Sequence, residues 1–214
     1  MPVSRQSIAA RLKSYAKPAI STICSHSALQ IFHGAKLEGF RTVGICTPDK
    51  REFYESYPLS RPDDFIEVKH YGDVLKQDIQ EELLRRQCIV VPHGSFVEYV
   101  GSDRIAESFD VPMFGNRGSL QWESSRKKCM EWLKRAGCRV PKEFASPADI
   151  DRICIVKFSG AKGGKGFFLT TDERDFHKKM KEKVDKKIIT EFESENCTIQ
   201  EFINGVRYYH HYFY

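Results

Sequence analysis

The sequence lacks the marks of several protein classes. No run approaches the ~20 apolar residues that a membrane helix requires, so no membrane partner is expected. The first seventeen residues hold four basic side chains with no apolar stretch behind them, the wrong pattern for a secretory signal. Seven cysteines lie scattered at positions 24, 46, 88, 129, 138, 154 and 197, none in a Cys-x-x-Cys pair. That odd count and spacing argue against a disulfide framework or zinc site and for reduced thiols in a cytoplasm. Internal repeats and low-complexity segments are also missing.

What is present suits a globular protein. The 214 residues are 41% apolar, enough for one large domain or two small ones with a real core. Net charge is +5, much of it from Lys178–Lys187. A solvated helix face and loop accounts for that run. Without aromatic interleaving, a recognised motif or a long basic tail, nucleic acid is not expected as a partner.

Strand and helix patterns alternate from residue 19 to 115. Ala19–Cys24 is a short apolar strand closed by Ser25-His26-Ser27. A helix with Ala28, Leu29, Phe32 and Ala35 on one side follows and stops at Gly39, and Arg41–Cys46 is the next strand. This is a βαβ unit. Thr47–Arg61 reads as a polar loop, Phe65–Tyr71 as a strand and Gly72–Gln87 as an amphipathic helix. Cys88–Pro92 is a buried strand closed by His93-Gly94-Ser95. A helix at Ser102–Phe109 and a strand at Val111–Gly115 complete a doubly wound parallel sheet. Ser119–Gly137 reads as one long helix capped by Gly137. The second half has an α+β pattern. A strand ends at Lys157, and a hairpin follows it. A helix covers Asp172–Val184 with Asp172 as N-cap, and strands are expected at Ile188–Phe192, Thr198–Ile203 and Arg207–Tyr214. The expected domains are 1–120 and 121–214. The last strand stops in mid-pattern, which predicts that the chain is a fragment.

Three stretches carry candidate chemistry. Ligands of an open parallel sheet bind at the carboxyl ends of its strands. Ser25-His26-Ser27 offers hydroxyls, an imidazole and the N–H groups of a helix start, a cradle for a phosphate monoester. His93-Gly94-Ser95 adds a second imidazole and hydroxyl. Each turn alone reads as a capping turn; both at one sheet edge suggest a site for a small anion. The third stretch follows Lys157: Gly160–Gly166 packs four glycines and two lysines into seven residues. It has no Walker A frame, and a strand rather than a helix follows it. It reads as a hairpin tip able to fold over nucleotide phosphates, or as a solvated surface hairpin. The strand edge at Gln200–Ile203 could offer backbone groups to an adenine ring.

With these pieces placed, the chain resembles the ATP-grasp superfamily, and within it the archaeal formate-dependent 5-formaminoimidazole-4-carboxamide ribonucleotide (FAICAR) synthetases. The resemblance runs from about residue 19 to the end. It rests on Ser25-His26-Ser27-Ala28-Leu29-Gln30-Ile31, Val91-Pro92-His93-Gly94-Ser95-Phe96-Val97-Glu98-Tyr99, Phe114-Gly115-Asn116-Arg117, Trp122-Glu123 with Arg126, the Lys157 loop and Gln200-Glu201-Phe202-Ile203-Asn204-Gly205. It implies a parallel-sheet pre-ATP-grasp domain at 1–120, followed at 121–214 by an α+β lid subdomain whose C-terminal part is missing. It also implies a purine-biosynthetic ligase that formylates 5-aminoimidazole-4-carboxamide ribonucleotide (AICAR) through formyl phosphate. ATP, Mg2+ (or Mn2+) and formate would be required, and a homo-oligomer is left open. His26 and Ser95 would contact AICAR. Lys157, Gly160, Lys162, Gly163, Gly164, Lys165 and Gly166 would hold ATP phosphates, and Glu201, Phe202 and Ile203 would form the adenine hinge. The resemblance places the metal ligands beyond residue 214, and no acidic residue follows Glu201 here. The chain alone is therefore expected to be inactive. Alternatives are an ATP-grasp ligase with another amine substrate and a non-catalytic nucleotide-binding paralogue.

Overall fold

The computed structural model describes residues 3–158, 166–206 and 208. Its chain divides into two compact units, Met1–Trp132 and Leu133–Tyr214.

After a first helix, α1 (Arg5–Ser14), unit 1 runs β1 (Ala19–Ile23), α2 (Ala28–Leu37), β2 (Arg41–Cys46), α3 (Pro48–Glu55) and β3 (Asp64–Glu67). A 3-10 turn (Tyr71–Leu75), α4 (Gln77–Arg85), β4 (Cys88–Val90), α5 (Gly94–Val100), α6 (Ser102–Ser108) and α7 (Arg117–Glu123) follow. The strands form a parallel sheet in the order β3-β2-β1-β4, with Ala19 paired to both Arg41 and Cys88. The order reverses beside β1, so β1 and β4 flank the point where neighbouring connections diverge. Period-two alternation sends Ile23, Val43 and Ile45 into one core with Val74, Leu83, Phe96 and Ile105. It sends Cys24 and Cys46 into another with Ala28, Phe32 and Tyr54. Helices thus cover both faces, as a parallel sheet requires. Burying each such large apolar side chain stabilises the fold by about 1.5–3 kcal/mol.

The helix α8 (Arg126–Arg135) leads into unit 2, which contains β5 (Glu143–Phe144), a 3-10 turn (Pro147–Asp149), β6 (Cys154–Lys157), β7 (Phe167–Thr170), α9 (Glu173–Asp185), α10 (Glu191–Glu195) and β8 (Thr198–Glu201). Its sheet is antiparallel, in the order β5-β8-β6-β7. Val156, Phe168 and Ile199 pack with Phe176 and Met180 of α9. By strand alternation the opposite face carries Ile155, Lys157, Phe167, Leu169, Thr198 and Gln200.

Several expected elements differ. Residues 48–55 form α3 rather than a loop, because Thr47, Pro48 and Asp49 supply an N-cap position, a proline in the first turn and a first-turn acid. The single helix expected at 72–87 is a 3-10 turn and α4, separated at Lys76, whose ψ of 143° is extended. The strand at 111–115 is reduced to one bridge, Val90 to Met113. Pro112 has no N–H to donate, and Gly115 turns away at φ 86°. The long helix at 119–137 breaks between α7 and α8, where Ser125 Oγ accepts from the Lys128 N–H at 3.4 Å. Residues 191–195 are helical because Thr190 and Glu193 form a capping box. The strand expected at 207–214 lies outside the described residues, apart from Tyr208.

Candidate functional site

The buried strand β1 ends in a tight turn. Ser25 N–H donates to the Ile23 carbonyl at 2.8 Å, and His26 takes a left-handed φ of 39°. That conformation is uncommon for a residue with a side chain. His26 is exposed, and its Nδ1 lies 2.7 Å from Ser27 Oγ. Ser27 makes no side-chain capping bond to α2. The Ala28 and Ile31 N–H groups bond the Ser25 and Ser27 carbonyls, while those of Leu29 and Gln30 have no backbone acceptor among the described residues.

The β4 end is stitched to β1. Val91 N–H donates to Ser21 O at 2.8 Å, and Thr22 Oγ1 donates to Val91 O at 2.8 Å. His93 follows with an extended backbone and opens α5, placing Ser95 in its first turn. His93 Nε2–H donates to the Ile23 carbonyl at 3.2 Å. Nδ1 is enclosed without a partner. Burial pushes the His93 imidazole below its ordinary range; the Ile23 carbonyl offsets part of this and His26 adds to it. The His26 and His93 rings lie 6.3 Å apart, tilted by 30°. The structure therefore brings the two turns that bear His26 and Ser95 to one edge. Beside them a cavity of about 380 Å³ is lined by Pro92, His93, Val97, Leu120 and Glu123.

Sequence reasoning does not find Tyr71, whose hydroxyl donates to the Cys24 carbonyl just before the first turn. Alternation places Tyr71 at a strand end, with no signal of that long-range bond. Thr22, likewise, reads only as part of an apolar run.

In unit 2, Lys157 closes β6 and its Nζ donates to Gln200 Oε1 at 2.6 Å. Phe158 N–H donates to Gly166 O at 3.1 Å, one step beyond the Lys157–Phe167 pair. Gly160, Lys162, Gly163, Gly164 and Lys165 lie outside the described residues. Glu201 ends β8; its carboxylate accepts from the Lys142 N–H at 3.2 Å and from Arg152 at 3.1 Å. Those two partners, in that order, hold its carboxyl below the ordinary range. The N–H groups of Glu201 and Phe202 bond the Lys142 and Ile153 carbonyls, and Ile203 follows, exposed. Among the described residues, no group of three or more His, Cys, Asp or Glu could hold a metal ion.

The fold is that of the ATP-grasp proteins. A solved structure described as an IMP biosynthesis protein PurP from Thermococcus kodakaraensis is 31% identical at a TM-score of 0.59, covering 87% of this chain and 51% of its own. An L-amino acid ligase from Bacillus licheniformis shares the fold at 15% identity and a TM-score of 0.53, over 88% of this chain and 45% of its own.

The chain belongs to the family described as "Protein of unknown function (DUF1246)", whose model matches residues 20–144. A second model, "Domain of unknown function (DUF1297)", matches residues 175–214. A relative from Korarchaeum cryptofilum (strain OPF8) is 51% identical over 195 residues, 91% of this chain and 53% of the relative. It is named 5-formaminoimidazole-4-carboxamide-1-(beta)-D-ribofuranosyl 5'-monophosphate synthetase. The chain spans about half the length of the curated relatives it matches. Both the ATP-grasp class and the resemblance to FAICAR synthetases are thus borne out.

Proposed function

We propose that this chain supplies the ribonucleotide site and part of the ATP site of a ligase that formylates AICAR with ATP and formate, in purine synthesis. The observation that carries the reading is the meeting of the His26 and Ser95 turns beside β1, tied through His93 to the Ile23 carbonyl. The unbonded N–H groups at the start of α2 suit the phosphate end of a ribonucleotide. His26 and Ser95 contact AICAR. Lys157, which alternation sets on the sheet face opposite α9, and the residues Gly160–Gly166 hold ATP phosphates. Glu201–Ile203 lies along the adenine, with the Ile203 N–H, which has no backbone acceptor among the described residues, offered to a ring nitrogen.

In the proposed reaction, a formate oxygen attacks the γ-phosphorus of ATP and ADP leaves. The AICAR amine then attacks the formyl carbon, phosphate departs and the amine nitrogen gives up a proton. Such chemistry asks the protein for positioning and charge compensation rather than a covalent group. The described residues offer no group of three or more His, Cys, Asp or Glu for the magnesium ion. Seven free thiols suit a reducing cytoplasm.

Calorimetric titration of the 214-residue chain tests the reading. AICAR should bind, and His26→Ala or Ser95→Ala should weaken it about tenfold, the loss of one hydrogen bond to a charged or buried polar group. ATP binding should be unchanged in both variants. Absence of AICAR binding by the unaltered chain would refute the assignment.

A further inference from the structure

The two turns of the site bring hydroxyls, imidazoles and backbone N–H groups, but no lysine or arginine. A phosphate monoester carries about −1.5 to −2 charges at neutral pH, and leaving that charge without a cation is costly once water is displaced. The fold supplies a candidate from outside both motifs.

Lys50 stands in the first turn of α3, beyond the carboxyl end of β2. It is half-buried, and no carboxylate among the described residues comes within ion-pair distance of it. Its sequence neighbour Arg51 is committed to Glu55 at 2.9 Å. The Lys50 ammonium instead lies 5.1 Å from the centroid of the Tyr71 ring. A cation–π contact orients an ammonium and replaces part of its hydration without cancelling its charge.

Tyr71 links this lysine to both turns. Its hydroxyl donates to the Cys24 carbonyl, next to Ser25-His26-Ser27. Its ring packs 5.1 Å from that of Tyr99, on the helix α5 that His93-Gly94-Ser95 opens. Tyr71 is buried, so the seat under Lys50 is fixed by the fold rather than by a mobile side chain.

We infer that Lys50, seated on Tyr71, is the cation that binds the phosphate of a sugar-phosphate ligand at this edge. The inference rests on the ribonucleotide reading above and deepens it: the site selects a phosphorylated ligand over the corresponding nucleoside through Lys50.

The test is calorimetry on the 214-residue chain with three probes: AICAR, its dephosphorylated nucleoside, and ribose 5-phosphate. Lys50→Met should weaken AICAR and ribose 5-phosphate by about tenfold or more, the size of a charge-assisted hydrogen bond. Nucleoside binding should not change, and Lys50→Arg should recover most of the loss. Equal binding of the phosphorylated probes by Lys50→Met and the unaltered chain overturns the inference. So does a parallel loss of nucleoside affinity, which marks a structural role. If the unaltered chain binds ribose 5-phosphate but not AICAR, the proposed acceptor is wrong while the Lys50 comparison still decides. If it binds neither, both readings fall.

Discussion

A carbonyl oxygen only accepts, so the 3.2 Å contact from His93 to Ile23 puts the imidazole proton on Nε2 and leaves Nδ1 enclosed and unpartnered. Protonating Nδ1 would bury a charge with no acceptor, which is why burial lowers the affinity of this ring for a proton. The unfolded chain, with an ordinary imidazole near 6.5, then binds more protons below that pH than the folded chain does. Stability from this group is complete above about pH 6.5 and is lost as pH falls through the lowered folded value. His93→Gln should remove this contribution. The difference in urea midpoint between the two proteins should be flat above neutrality and change on acidification; a difference independent of pH would contradict it. The two turns could be noticed from their residues, and within them the resemblance singles out His26 and Ser95. The bond from His93 to Ile23 could not, because seventy residues separate its partners.

The helix that follows the site is anchored by one half-buried guanidinium. Arg117 begins α7 and donates to the carbonyls of Ile105, Phe109 and Val111, closing the end of α6 and the loop after it. Burial lowers its pKa, with Asp110 opposing that effect. Arg117→Met should leave the Phe109 and Val111 carbonyls without this donor, while Ile105 keeps the Phe109 N–H, and should cost about 1–3 kcal/mol. A chemical denaturation curve will show it, and Arg117→Lys should rescue little, since one ammonium cannot reproduce the planar fork. Among the elements, the βαβ unit, the β6–β7 hairpin and the Asp172 cap of α9 follow from periodicity and capping chemistry. α5 does not, because Gly94 and Ser95 resemble a turn, although its later residues Phe96 and Val100 enter the core. The break before α8 is equally hidden, because Ser124 and Ser125, whose hydroxyls bond the Gln121 carbonyl and the Lys128 N–H, look like ordinary polar surface.

Each compact unit owns a core. Val43, Ile45, Phe96 and Phe109 belong to unit 1, and Val156, Phe158, Phe168 and Phe176 to unit 2. Units with separate cores lose stability separately. Phe158→Ala removes a fully buried ring and should cost unit 2 about 3–5 kcal/mol. Hydrogen exchange should accelerate at the amides of β6 and β8 while protection in β1 and β2 persists. Equal loss in both sheets would show one cooperative block instead. The basic run at 178–187 is in part self-neutralised, with Lys179 paired to Asp175 and Lys181 to Asp185 one helical turn away.

Short-range chemistry, legible from the chain alone, determined the alternation of strands and helices, the strand-to-hairpin switch after Lys157 and the identity of the two polar turns. These depend on side-chain period, glycine freedom and capping, all set by residues a few positions apart. Only the tertiary structure decided that the turns meet, that His93 is half-buried and bonded to β1, and that Tyr71 carries Lys50 to the same edge. Those facts follow from strand order: the reversal beside β1 sets β4 against it, and the pairing of distant strands is written in no local pattern.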